Sequence, residues 1–265
     1  MRGTRGDALI HPQAIIDSSA ELAGDVTVGP FSVIGPNVTV DAGTYIGPHV
    51  VIEGPTRIGR DNRILQFASL GSDPQDKKYR GEPTELVIGD RNLIRESVTI
   101  NRGTLNGNGR TLIGDDNLLM AYIHIAHDCR IGNNTIFSNN ASLAGHVHID
   151  DWVILSGFTL VHQFCSIGAH AFTGMGSAIA KDVPPYMIVS GNPAHPHGIN
   201  KEGLKRRGFS PEQISQLRRA YKLLYRQGLT LDDALAELTV LATTEPAIRP
   251  LLDFLQKDVR RSIIR

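Results

Sequence analysis

Six of the ten histidines of this 265-residue chain lie between positions 124 and 170. Imidazole changes charge near neutral pH, so a cluster of it suits proton transfer or metal binding. His127 is followed directly by Asp128, a carboxylate able to orient the ring or stabilise its charged form. Eighteen residues beyond His127 stands Gly145, with His146 after it. A glycine there leaves a backbone N–H open to a substrate oxyanion. A base for a hydroxyl and a donor for a tetrahedral oxyanion are what acyl transfer from a thioester to a hydroxyl requires. The sequence has no nucleophile elbow, so direct transfer without a covalent intermediate is the simpler scheme.

The interval of eighteen matters because of the repeat that carries these residues. From Ile10 an aliphatic residue returns every six positions, through Ile16, Leu22, Val28 and Ile34 to Leu70. The phase reappears at Ile88, Ile94 and Ile100 and, after one shift, runs from Ile113 to Ile179. Period six fits neither a helix nor a lone strand. It fits a parallel β-helix in which each hexapeptide makes one short strand and one turn, and three hexapeptides close a triangular coil. Coils stack about 4.8 Å apart, so the aliphatic side chains form an inward ladder. Gly and Asn at the corners take backbone conformations that a Cβ resists. In this frame His127 lies under Gly145, Asp128 under His146, and Ala144 under His162. His124, His127, His146 and His162 are therefore expected to gather on one corner. Cys129 and Cys165 fall on inward positions two coils apart, about 9–10 Å, beyond disulfide reach.

The pattern lapses over 71–87 and 104–112, and long excursions from a regular scaffold are usually functional loops. After Val183 the texture changes. Ser210-Pro211-Glu212-Gln213 opens an amphipathic run to Gln227-Gly228, preceded by a short segment around Glu202–Arg207 and followed by helices starting near Thr230 or Asp232 and near Pro246. The expected organisation is mainly β: a β-helix over 1–190 with a C-terminal α-helical domain over 191–265, placed to cap the solenoid. Lys and Arg number 27 and so do Asp and Glu, so no overall field draws in nucleic acid or an anionic membrane. No stretch approaches the roughly 20 apolar residues of a membrane span. The charged start, MRGTRGDALIHPQ, does not read as a secretory signal. A cytoplasmic protein is the expectation.

Clustered imidazoles also suit a metal. The gamma carbonic anhydrases, a family of left-handed β-helix trimers, hold zinc with histidines shared between subunits. Spacing alone leaves that alternative open, although those enzymes lack a long helical tail with a basic cluster.

Longer runs narrow the choice. Ile125-Ala126-His127-Asp128-Cys129, Asn139 to His146, Val161-His162-Gln163-Phe164, Asp182 to Tyr186 and Gly203 to Phe209 resemble those of the UDP-N-acetylglucosamine O-acyltransferases. That family catalyses the first step of lipid A biosynthesis in Gram-negative bacteria, and the resemblance spans about Ile10 to Arg265. It implies a left-handed coil, a homotrimer with active sites in clefts between subunits, and no cofactor or metal beyond the phosphopantetheine thioester of acyl carrier protein. A 3-hydroxyacyl chain would pass to the glucosamine 3-hydroxyl. His127 matches the general base, Asp128 its partner and Gly145 the oxyanion donor. His124, His146, His162 and Gln163 match residues around the substrate, and Asp76 and Lys78 match loop residues reaching across a subunit boundary. Asn200, Glu202, Arg206 and Arg207 match the nucleotide-binding part of the tail, where adjacent arginines suit a diphosphate.

One position departs from the pattern. Where some members have paired glycines at the end of the acyl groove, this chain has Gly174-Met175, with Pro193 near the same end. A Met side chain fills a volume of roughly four acyl carbons, so the expected chain has about ten carbons rather than about fourteen. The related N-acyltransferases of the same pathway differ at the N-terminus, where this chain enters its repeat almost at once.

Overall fold

A computed structural model describes residues 10–257 and 262–265; the start of the charged N-terminal stretch, 1–9, lies outside the described residues. Among the described residues, two- to five-residue strands form three sheets of nine, eight and ten strands, built from every third strand in order except for the last two strands of the ten-stranded sheet. The nine-stranded face runs from Ile15–Ile16 through His124–Ile125, Ser142–Leu143 and Leu160–Val161 to Ala178–Ile179. The eight-stranded face runs from Glu21–Leu22 through Arg130–Ile131 and His148–Ile149 to Ser166–Ile167. The ten-stranded face runs from Thr27–Val28 to Phe172–Thr173 and ends in Met187–Ser190 and His195–Ile199.

Parallel register advances by eighteen residues, as in Val33↔Val51 and Ser142↔Leu160. The second residue of each two-residue strand points inward and the first outward, since strand side chains alternate. Ile34, Ile52, Leu70, Ile100, Ile125 and Leu143 are accordingly buried. Each such burial contributes about 1.5–3 kcal/mol. Cys129 and Cys165 are buried and free. A glycine often follows the aliphatic residue because adjacent coils leave no room: a Cβ on Gly29 would stand 2.7 Å from the Gly47 carbonyl carbon.

The corners differ from expectation. Asn37, Asn134 and Asn140 do have positive φ, but so do many large residues. Phe31, His49, Phe67, Tyr122 and Phe158 take this conformation on the ten-to-nine corner, Asp128, His146 and Phe164 on the nine-to-eight corner, and Trp152, His170 and Tyr186 on the eight-to-ten corner. A left-handed residue with a Cβ costs about 1–2 kcal/mol. Ring stacking along each corner offsets that cost, with His49 at 5.0 and 5.4 Å from Phe31 and Phe67 and His146 at 4.5 Å from Phe164.

Both interruptions are shorter than the lapse in pattern. Gly71 and Ser72 belong to the strand Ser69–Ser72, Glu85–Val87 to the strand Glu85–Ile88, and Arg110–Leu112 to the strand Arg110–Ile113. Glu85 and Arg110 pair in register and as an ion pair, so polar residues extend these strands where hydrophobic phase gives no signal. The excursions proper are 73–84 and 102–109. Both leave from the nine-to-eight corner, two coils and one coil below Asp128.

The last sheet strands continue to Ile199, beyond the expected break at 190, as an antiparallel hairpin. Four helices follow: α1 (Lys201–Arg206), α2 (Pro211–Tyr225), α3 (Leu231–Thr244) and α4 (Arg249–Gln256). Ser210 and Gln213 form a capping box on α2, and Thr230, rather than Asp232, caps α3. Tyr186 donates its hydroxyl to the Ala247 carbonyl, and Asp182 exchanges backbone hydrogen bonds with Ser262 and Ile264. These contacts fasten the helices to the open end of the prism.

Candidate active site

His127 and Asp128 form the turn between His124–Ile125 and Arg130–Ile131, so the coil carries them at its nine-to-eight corner. His127 Nδ1 lies 2.8 Å from Asp128 Oδ2. An ionised carboxylate only accepts, so Nδ1 holds the proton and Nε2 keeps the lone pair a base needs. Burial alone would raise the Asp128 carboxyl, but hydrogen bonds from His127 and from the Thr104 N–H and hydroxyl outweigh it and hold the group below the usual carboxylate range. One coil above, Gly145 lies against the imidazole. A Cβ there would stand 2.6 Å from His127 Cε1 and 2.8 Å from Nε2. Among the described residues the Gly145 N–H meets no acceptor. A base and an unsatisfied donor thus face the same small space.

His146, above Asp128, lies edge-on to His127 with ring centroids 5.2 Å apart and its Nε2 3.7 Å from Asp128 Oδ2. His162 stands exposed one coil above Ala144, and Gln163 one coil above Gly145. His124 is not on the corner. It projects from the flat nine-stranded face, where its Nδ1 lies 2.8 Å from Thr99 Oγ1. The even period of a strand sends it outward there. Burial, then the nearby His127, lower its pKa.

Thr104 went unnoticed in the sequence. Its N–H and hydroxyl donate to Asp128 at 2.9 and 2.7 Å from the shorter excursion. Gly107 lets that loop close over the acid, since a Cβ there would meet Asp128 Oδ1 at 2.1 Å. No local pattern signals a partner 24 residues away in sequence. Thr104→Val is expected to lower kcat roughly tenfold. The acid limb of the activity profile should move to higher pH, because a carboxylate stripped of a donor holds its proton more tightly. Thr104→Ser should restore both, and a pH–rate series on the two variants checks this.

Atoms of His127, Asp128 and His146 lie within 4.8 Å of one another, so three metal-ligand types converge here. Asp128 already accepts from Thr104 twice and from His127. A metal ion bound by Asp128 itself would compete with those donors for a buried carboxylate.

The remaining predicted residues are spread over the prism. Asp76 and Lys78 lie in the longer excursion, where Asp76 Oδ1 accepts the Lys78 N–H at 2.9 Å. Arg102 ties that loop to the coil through Asp73 and the Tyr79 hydroxyl. Asn200 caps α1 and donates to the His170 carbonyl at 3.0 Å, so its amide also holds the helices to the eight-to-ten corner. Glu202 pairs with Lys205 at 3.3 Å, and Arg206 is exposed. Arg207 stacks over Trp152 at 5.0 Å, and its Nη1 is buried with no partner among the described residues. Burial, then the Arg207 charge, push His170 beside it down to about 4. These residues occupy a different corner from His127.

Met175 lies on the third corner, 79% exposed, so it cannot close a groove that stays on the His127 corner of one chain. Eighteen-residue stacking placed it along the prism but not around it. Pro193 lies in the hairpin whose Ala194 donates to the Ala178 carbonyl, at the top of the nine-stranded face. Met175 and Pro193 therefore share that end.

A family model described as UDP-N-acetylglucosamine O-acyltransferase, domain 2, matches residues 182–264, and one described as bacterial transferase hexapeptide matches 110–145. An acyl-[acyl-carrier-protein]–UDP-N-acetylglucosamine O-acyltransferase of Pseudomonas putida is 64% identical over 239 residues, 90% of this chain and 93% of its own. One of Pseudomonas paraeruginosa is 62% identical over 253 residues, 96% of this chain and 98% of its own. The crystal structure of UDP-N-acetylglucosamine O-acyltransferase from Moraxella catarrhalis superposes with a TM-score of 0.95 at 48% identity, covering 97% of this chain and all of that one. The coil is left-handed, as in these structures. Identity of this degree over nearly the whole length shows that the chain is an acyltransferase belonging to the UDP-N-acetylglucosamine O-acyltransferase family.

Proposed function

We propose that the protein transfers a 3-hydroxyacyl chain from acyl carrier protein to the glucosamine 3-hydroxyl of UDP-N-acetylglucosamine, opening lipid A biosynthesis in the cytoplasm. The single observation that carries the mechanism is His127 held by Asp128 beneath the free N–H of Gly145. His127 Nε2 takes the proton of the sugar hydroxyl as that oxygen attacks the thioester carbonyl. The Gly145 N–H receives the developing oxyanion. Collapse breaks the carbon–sulfur bond, and the imidazolium returns its proton to the departing thiolate. No helix among the described residues is long and apolar enough to cross a membrane.

The assembly is a homotrimer. Ile15, Val33 and Val51 project from the nine-stranded face beside the exposed rings of Phe31, Phe67, Tyr122 and Phe158. Leu118, Ile136 and Ile154 project from the ten-stranded face across the same corner. Two apolar faces at one edge suit a closed head-to-tail ring. That ring brings the Arg206 corner of one chain to the His127 corner of its neighbour, as a nucleotide sugar held by both requires. Asp76, Lys78, His124, His146, His162 and Gln163 then surround the sugar, with Asn200, Glu202, Arg206 and Arg207 on the nucleotide.

The acyl chain leaves His127 across the nine-stranded face, over Ser142 and Ala178, and ends at Met175 and Pro193. Met175→Gly is expected to shift the preferred donor from about ten towards about fourteen carbons. Competition between the two acyl carrier proteins checks it, and an unchanged preference contradicts it. The reaction needs no metal. Protein freed of metal by a chelator should keep full turnover, whereas loss reversed by zinc would favour a zinc site like that of the gamma carbonic anhydrases.

A further inference from the structure

Each residue from Asn101 to Thr104 reaches out of its coil to a loop or to the catalytic acid. Asn101 Nδ2 donates to the Asp73 carbonyl at 2.8 Å. The Arg102 guanidinium donates to the Gly71 carbonyl, the Asp73 carboxylate and the Tyr79 hydroxyl. The Gly103 N–H meets the Glu85 carbonyl at 3.3 Å, and Thr104 donates twice to Asp128. This short segment thus grips both ends of the 73–84 excursion as well as the acid behind His127. Arg102, two residues past Ile100, falls one coil below His127, two residues past Ile125.

Arginine is rarely buried, yet Arg102 is 8% exposed and its Nε has no partner among the described residues. An incompletely paired buried cation adds little stability, and an apolar side chain of similar volume would serve the fold as well. Its role lies in what it holds. The planar fork reaches the foot of the excursion at Gly71 and Asp73 and its tip at Tyr79. That tip is braced within itself. The Tyr79 N–H donates to the Asp76 carbonyl and its hydroxyl to the Glu82 carbonyl, both at 3.0 Å. Arg80 Nη1 donates to the carbonyls of Lys77 and Tyr79 at 2.7 and 3.0 Å. A braced tip moves as one body, so a grip on Tyr79 fixes Asp76 and Lys78 with it.

Resting on the reading above that places Asp76 and Lys78 around the sugar, we infer that Arg102 is a positioning residue for the nucleotide sugar. It sets the 73–84 excursion on the same frame that carries His127 and Asp128. Thr104 and Arg102 then act on different quantities from positions two apart. Thr104 acts on the acid and so on turnover, whereas Arg102 acts on the loop and so on sugar binding.

Arg102→Lys keeps the charge but not the planar fork. KM for UDP-N-acetylglucosamine should rise about tenfold, with kcat and KM for the acyl carrier protein donor within about twofold. Trypsin should cut the folded variant after Lys77, Lys78 and Arg80 about tenfold faster than the unsubstituted protein, with thermal unfolding little changed. In a Lys78→Ala background the same substitution should add less than about threefold to KM, because it acts through the loop that Lys78 occupies. Asp73 is exposed, so Asp73→Asn loosens the same grip without touching the core and decides the matter if Arg102→Lys does not fold. It should raise KM for the sugar about threefold and speed cutting at the same three sites. Unchanged KM and unchanged cutting in a folded variant would overturn the inference. So would a fall in kcat with KM unmoved, or the full rise in KM in the Lys78→Ala background. If the unsubstituted protein turns over no donor, the acyl-transfer reading fails, and the trypsin rates alone decide whether Arg102 holds the loop.

Discussion

His127→Ala is expected to lower kcat by roughly a hundred- to ten-thousand-fold, with little change in KM for UDP-N-acetylglucosamine. The imidazole is the group positioned to take the hydroxyl proton, and its Nδ1 is committed to Asp128 at 2.8 Å. His146 cannot substitute, because its Nε2 points to the same carboxylate at 3.7 Å. Added imidazole should recover part of the rate in the cavity left behind. The folded trimer should survive, since position 127 is a corner residue outside the inward ladder. Steady-state kinetics with and without imidazole decide the matter. A variant with full turnover would remove His127 from the chemistry.

The second large effect belongs to a residue without a side chain. Gly145→Ala should cost about a hundredfold in kcat, because its Cβ would stand 2.6 Å from His127 Cε1. The ring must shift by something near 1 Å, and misplacement on that scale costs about a hundredfold. The backbone at 145 does not have the positive φ that would itself exclude alanine, so the protein should fold normally. Thermal unfolding close to that of the unsubstituted protein, together with lost activity, is the expected pair of results. Normal activity would show that Gly145 is only a spacer between coils.

Much of this was legible from the six-residue period, because inward burial is enforced at every coil. Ile34, Ile52 and Leu70 had no alternative environment once the repeat was recognised. The vertical neighbours of His127 followed from the same arithmetic. Position around the prism was harder. His124 was expected on the corner and lies on a flat face, and the coil count that set Met175 further along the prism did not say which corner it would occupy. The period counts coils, but strand alternation and turn length decide the face. The corner rings were illegible for a further reason. Their left-handed backbone is offset by stacking between residues eighteen apart, such as His146 on Phe164, and single-residue preference opposes it. Thr104 was hidden because its partner is distant in sequence and its loop has no repeat.

The same physics explains why the site lies where it does. Both excursions leave from the His127 corner, and the shorter one supplies the donors that keep Asp128 ionised. Regular coils hold the base and the oxyanion donor in register, while the irregular loop tunes the acid behind them.

The most direct test is the identity of the product. Purified protein is incubated with UDP-N-acetylglucosamine and a 3-hydroxyacyl carrier protein of about ten carbons, and the sugar nucleotide is analysed by mass spectrometry and NMR. One new ester is expected, on the glucosamine 3-hydroxyl. An acyl group found on an amine, on another hydroxyl or covalently on the protein would contradict it.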